Sequence, residues 1–89
     1  MPKIGVRHGD QFLRSAQRLP IPQQQKLSRQ ITLLQNNPFH PALHTKPLSG
    51  RLAGLYSFRI TRDWRVIFQF IAPDQIVLRD VGHRKDIYR

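Results

Sequence analysis

The chain has 89 residues, room for a single domain spanning 1–89, and a domain of this size buries only about 60–65% of its unfolded surface. It has no cysteine, so neither a disulfide nor thiolate-bound zinc adds to that margin. Its 15 Lys+Arg against 5 Asp+Glu leave a net charge of +10, which costs folding energy by self-repulsion and points away from an ordinary mixed-sign surface toward phosphate-bearing or acidic partners.

From the N-terminus, Met1–Arg7 has no apolar h-region, so no signal peptide is expected there. No apolar run approaches the roughly 18 residues that span a bilayer, so no membrane partner is expected and the cytoplasm is the expected location. Residues 3–7 alternate weakly and read as a short strand. Asp10 is placed to cap a helix starting near Gln11. Phe12, Leu13, Ala16 and Leu19 recur at helical spacing, and Pro20-Ile21-Pro22 breaks that helix. Pro22 suits the first position of a second helix, striped by Leu27, Ile31 and Leu34 and ended by Asn36-Asn37-Pro38. The two make a helical hairpin over about residues 10–36.

Residues 38–54 read as a connection. From Leu55 the period changes from 3.6 to 2, giving strands over Leu55–Ile60, Trp64–Phe70 and Gln75–Val81 with short turns between them. The expected fold is therefore α+β: a small antiparallel sheet, made of a three-stranded meander and the short N-terminal strand, with the helical hairpin packed on one face. Tyr56, Phe58 and Ile60 share the core face with Val66, Phe68 and Phe70. Arg59, Arg65 and Arg79 fall on the opposite face, one per strand. A three-residue loop at 61–63 sets Arg59 opposite Arg65, whereas a two-residue loop separates them. Should the three converge, they form a basic floor with no helix above it.

No metal site is expected. His40 and His44 lie four apart in a proline-rich loop, and there is no HExxH pattern. No GxGxxG or phosphate-loop lysine is present, so no cofactor is expected either. Arg65, His83, Arg84 and Tyr88 remain as a set that works without one. RNA is cut without metal when its 2′-hydroxyl attacks the adjacent phosphate, which calls for a proton acceptor, a proton donor and positive charge on the phosphorane. Histidine and tyrosine move protons, and arginine's fork of donors fits the developing dianion. Each residue also has a purely structural reading. Arg65 can snorkel or pair with Asp80, His83 can serve a turn, Tyr88 can anchor the tail on the core, and Arg84 and Lys85 can be solvated surface.

Three stretches resemble the RelE/ParE superfamily of toxins. Lys46–Ile60, KPLSGRLAGLYSFRI, looks like that family's KPLxGxxxGLYxxRI run. Asp63–Phe68, DWRVIF, looks like its xYRVIY strand, and Val81–Arg89, VGHRKDIYR, is similar to its VGHRxxxY ending. Order and spacing agree over residues 46–89, the expected sheet and active-site region. The resemblance implies the toxin of a type II toxin–antitoxin pair, with a small antiparallel sheet and two helices on one face. RelE, YoeB and YafQ relatives cleave mRNA in the ribosomal A site, whereas the ParE branch inhibits DNA gyrase. A non-catalytic or decayed toxin-fold binding module is the third reading. Partners so implied are an acidic antitoxin, the ribosome and mRNA, with operator DNA reached only through the antitoxin complex.

Position by position, the resemblance implies catalytic roles for Arg65 on the central strand, Arg84, Tyr88, His83 and Asp63. Lys46 falls where YafQ-like members carry an active-site histidine, and Arg59 replaces another. With Arg51, Arg79 and Lys85 these complete the expected RNA and phosphate contacts. The general base stays open among His83, Tyr88 and a lysine.

Overall fold

A computed structural model of the chain describes residues 3–88. Strand β1 (Gly5–His8) leads into α1 (Asp10–Ala16) and α2 (Ile21–Asn36), the expected hairpin. Gly9, not Asp10, holds the N-cap of α1, and no side chain caps it. Asp10 instead lies in the first turn, where its charge meets the positive end of the helix. Pro22 falls within the first turn of α2, whose leading N–H groups have no intrahelical partner, so the missing donor costs nothing. Asn37 ends the helix in extended backbone ahead of Pro38, as expected.

The meander forms from β3 (Tyr56–Arg59), β4 (Trp64–Ala72) and β5 (Gln75–His83). A two-residue strand, β2 (Lys46–Pro47), completes a five-stranded sheet of order β1-β5-β4-β3-β2. The sheet departs from the expected antiparallel one in two ways. β1 runs parallel to β5, from Gly5 opposite Gln75 to His8 opposite Leu78, because the helices carry the chain across the sheet before it returns at the far edge. β2 arises inside the stretch expected to be pure connection, pairing Lys46 with Ser57 and Pro47 with Tyr56. Two residues are too few to show alternation, and Pro47, lacking an N–H, is tolerated because it sits at the sheet edge.

The core lies between hairpin and sheet. Phe12, Leu19, Leu27 and Leu34 meet Phe58, Ile60, Val66, Phe68, Ile76, Leu78 and Val81, with Tyr56 and Phe70 packed against this cluster. The expected core face is therefore the observed one. Ile60 N–H donates to the Trp64 carbonyl at 2.8 Å, leaving 61–63 as a three-residue loop and Arg59 directly opposite Arg65. Farther along, Ile67 pairs with Asp80 but Phe68 pairs with Leu78, so Arg79 is an extra residue in a bulge.

Beyond β5 the chain turns into a one-turn helix, α3 (Arg84–Ile87), too short to show a helical period in the sequence. His83 caps it, its Nδ1 accepting the Lys85 N–H at 3.2 Å. Ile87 is buried near Gly82, on the sheet face away from the hairpin. That face is thus partly roofed by the tail, not open as expected. Among the described residues no helix is long and apolar enough to cross a membrane.

Candidate active site

Arg65 is the centre of the face that the helical hairpin leaves uncovered. It sits mid-sheet between Arg59 of β3 and Gly82 of β5 and is only 6% exposed. Its Nε and Nη2 both donate to the Arg62 carbonyl, at 3.0 and 2.8 Å, so the tight loop that sets the register also clamps the guanidinium. No carboxylate pairs with it among the described residues. Asp80, the structural partner considered for it, accepts from Ser15 Oγ at 2.6 Å and from its neighbour Val81 N–H at 2.8 Å. A buried cation held by a neutral carbonyl keeps its full charge, and that carbonyl takes only two of its five N–H donors.

Tyr88 closes over this guanidinium. Its hydroxyl accepts from Arg65 Nη1 at 3.4 Å and donates to Ser57 Oγ at 3.2 Å. Ser57 is buried and shares the face of Arg59 and Arg65 by strand parity. Lys46 comes from the edge strand and places its Nζ 5.7 Å from the Tyr88 ring centroid, a cation–π distance. Tyr88 also floors a cleft that opens toward Lys46, Leu48, Ser49 and Leu52 on one side and toward Arg51 on the other. The Arg51 side has a volume of about 260 Å³. The loop that carries these residues needs Gly54, whose φ of 93° is open to glycine and strained for other residues. The Leu48 N–H to Leu55 carbonyl bond, 2.9 Å, closes the loop's ends.

The other expected residues divide. Asp63 and Arg84 come together at the rim: the Arg84 N–H donates to the Asp63 carbonyl at 2.7 Å, and their side chains pair at 3.4 Å. Arg59 lies beside Arg65. Arg79 shares the face but is held four residues away along β4, where its Nε and Nη2 donate to Gln69 Oε1 at 3.2 and 2.8 Å. At about 3.3 Å per residue that separates it from Arg65 by roughly 13 Å, so the three arginines do not converge. Lys85 is exposed on α3. His83 is opposite Trp64 in the ladder and therefore faces the hairpin, not Tyr88. Its ring meets the Trp64 indole edge-on at 5.3 Å and lines a groove with Ser15, Arg18 and Leu19. His40 Nδ1 is engaged by the Ala42 N–H at 3.1 Å. Among the described residues no three His, Asp or Glu side chains gather as a metal site would require.

This arrangement is a fixed, unneutralised guanidinium with a phenol on it and further cations around the rim. Such an arrangement has the chemistry to bind an anion and to move a proton. The family model described as "ParE toxin of type II toxin-antitoxin system, parDE" matches residues 10–88. The chain belongs to this toxin family, within the RelE/ParE superfamily. Solved structures agree in fold. A chain of the toxin–antitoxin complex RelBE2 from Mycobacterium tuberculosis superposes with a TM-score of 0.77 at 24% identity, covering 92% of this chain and 99% of that one. YafQ from E. coli strain BL21(DE3) gives a TM-score of 0.76 at 19% identity, over 98% and 100% of the two chains. The RelB–RelE complex of Methanococcus jannaschii gives 0.75 at 24% identity, over 93% and 95%. No curated protein matches the sequence significantly.

Two groups in this toxin's cleft escaped the sequence reading. Ser57 anchors the Tyr88 hydroxyl, and its signal was available: an odd-numbered polar residue in β3, on the face of the arginines. The Arg62 carbonyl had no signal at all, because a backbone acceptor acquires a role only when the loop has closed.

Proposed function

We propose that this toxin cleaves mRNA on the ribosome by metal-free attack of a 2′-hydroxyl on the adjacent phosphate. The observation that carries the proposal is the buried Arg65, with no carboxylate partner among the described residues, hydrogen-bonded to the Tyr88 hydroxyl. In this reading Arg65 donates its free N–H groups to the phosphorane oxygens, and Lys46 and Arg84 add positive charge from the rim. The new bond joins the 2′-oxygen to phosphorus and the P–O5′ bond breaks, leaving a 2′,3′-cyclic phosphate and a 5′-hydroxyl. The Tyr88 hydroxyl and the Lys46 ammonium are the two proton carriers at the cleft. The one that stands deprotonated, as phenolate or neutral amine, takes the 2′-proton, and the other, still protonated, gives its proton to the departing 5′-oxygen. Asp63 orients Arg84, and His83 positions the tail by capping α3 from the other face of the sheet.

The charge of +10 supports binding to ribosomal RNA by counterion release. It equally supports an acidic antitoxin that wraps the toxin and stabilises it by binding only the folded state. The solved RelBE2 and RelB–RelE relatives are toxin–antitoxin complexes. Operator DNA is reached, in this reading, through that complex. The test is primer extension on translated mRNA, with and without ribosomes, for the wild type, Arg65→Ala and Tyr88→Phe. Ribosome-dependent cuts lost in both variants are expected; undiminished cutting by either variant refutes the site.

The ParE name of the matching family supports a second reading, inhibition of DNA gyrase. Inhibition of gyrase supercoiling with no cut in mRNA selects it. Failure to arrest growth on expression selects a decayed binding module.

A further inference from the structure

A second basic concavity lies beside the Arg65–Tyr88 cleft. It has a volume of about 250 Å³ and is lined by Lys26, His44, Arg59, Thr61 and Arg62 among others. The elements that build it are far apart in sequence. Lys26 comes from α2, and His44 from the end of the 3-10 turn Pro41–Leu43, held in left-handed backbone at φ 51°. Arg59 ends β3, and Thr61 and Arg62 belong to the loop after it. Among the described residues no carboxylate lines the pocket, and the one ion pair is Arg84 with Asp63. Like charges in one concavity repel, and nothing within it offsets that repulsion.

Two links tie the pocket to the cleft. Arg59 lines the pocket and stands directly opposite Arg65 in the sheet. Arg62 lines the pocket, and its carbonyl clamps the Arg65 guanidinium at 2.8 and 3.0 Å. An anion in the pocket and one on Arg65 are therefore separated by a single loop residue and a single rung of the ladder. A polyanion with regularly spaced charges along a flexible chain fits this pair of sites. We propose that Lys26, His44, Arg59 and Arg62 form a phosphate subsite that holds the RNA backbone next to the phosphate bound at Arg65. The subsite fixes which phosphate reaches Tyr88.

This inference rests on the reading of the chain as an RNA-acting toxin, so its test measures binding apart from cleavage. The probe is a short fluorescein-labelled single-stranded RNA, 2′-O-methylated throughout and therefore uncleavable, followed by anisotropy over a range of salt. Lys26→Ala/Arg62→Ala removes two exposed side chains, so its melting temperature serves as the folding control. The variant is expected to bind about tenfold more weakly, the scale of a lost charge-assisted hydrogen bond. Its slope of log affinity against log salt falls by about 0.7 for each phosphate released. Charge-keeping Lys26→Arg/Arg62→Lys restores most of both. A walk of single uncharged methylphosphonates along the probe locates the contact. The wild type is expected to be sensitive at two neighbouring positions, the double-alanine variant at one. An unchanged slope and an unchanged walk in that variant overturn the proposal. So does loss of binding to a poly-aspartate peptide with RNA binding intact, which would assign the pocket to an acidic protein. A wild type that shows the two-position walk yet cuts no mRNA refutes the catalytic reading alone and leaves the subsite standing.

Discussion

Replacing Tyr88 by phenylalanine removes one oxygen and leaves the ring in place. The structure sets the cost to folding. The hydroxyl makes two hydrogen bonds, to Arg65 Nη1 at 3.4 Å and to Ser57 Oγ at 3.2 Å, both longer than the usual range. Each is then worth nearer about 0.5 than 1.5 kcal/mol, so together they stabilise the fold by about 1 kcal/mol. The ring keeps its place under Lys46 and its buried area. For a chain of this size the melting temperature should fall by about 4–8 °C or less. Loss of a positioned proton carrier lowers a rate by about 10²–10⁴, equivalent to about 3–5 kcal/mol of barrier. The two magnitudes are far enough apart to separate chemistry from folding. The assay pairs thermal unfolding by circular dichroism with single-turnover cleavage of ribosome-bound mRNA. Cleavage within about threefold of wild type would refute a chemical role for the hydroxyl. A collapse of the melting transition would instead make Tyr88 a structural anchor.

Arg65→Lys should fail to rescue Arg65→Ala, both losing about 10²–10³ in rate, because an ammonium cannot hold the Arg62 carbonyl and a phosphate with one planar fork; single-turnover cleavage checks it. Truncation after Ile87, removing Tyr88 and Arg89, should lower cleavage at least as far as Tyr88→Phe while the far-ultraviolet circular dichroism stays native. Asp63→Asn breaks an ion pair whose side chains are 40% and 54% exposed, so stability should change by no more than about 0.5–1 kcal/mol in urea unfolding. The Arg84 N–H to Asp63 carbonyl bond survives this change and keeps α3 docked. His83→Ala removes the cap of α3 and should cost about 0.5–1 kcal/mol. Its cleavage should fall less than about tenfold, whereas a general base at this position would cost about a hundredfold or more.

Much of the architecture was legible because periodicity is local. The helical stripe of Phe12, Leu19, Leu27 and Leu34 and the alternation through Phe58, Val66 and Phe68 each name a face without knowledge of the partner. The three-residue loop at 61–63 then fixed Arg59 opposite Arg65. The RelE/ParE resemblance of residues 46–89 pointed to Arg65, Arg84 and Tyr88 together. The direction of β1 was hidden, since it depends on where the helical hairpin returns the chain. β2 was hidden because two residues carry no period.

His83 and Tyr88 show where local pattern gives out. The sequence set them five residues apart beside one another's chemistry; the structure puts them on opposite faces of the sheet. His83 still belongs to β5, so its face follows strand parity, and that parity is legible only when the β4–β5 register is known. The bulge at Arg79 shifts that register by one residue, and a one-residue shift moves a side chain to the other face. Tyr88 lies beyond the strand, and its position depends on the turn of α3 over Gly82. The sequence alone determined the residue types, the basic charge and the core face, because these follow from composition and local period. Tertiary structure alone decided that Arg65 would be buried with no carboxylate partner among the described residues, held on the Arg62 carbonyl and covered by Tyr88. Those contacts form only after a loop, a ladder and a tail have closed on the same point.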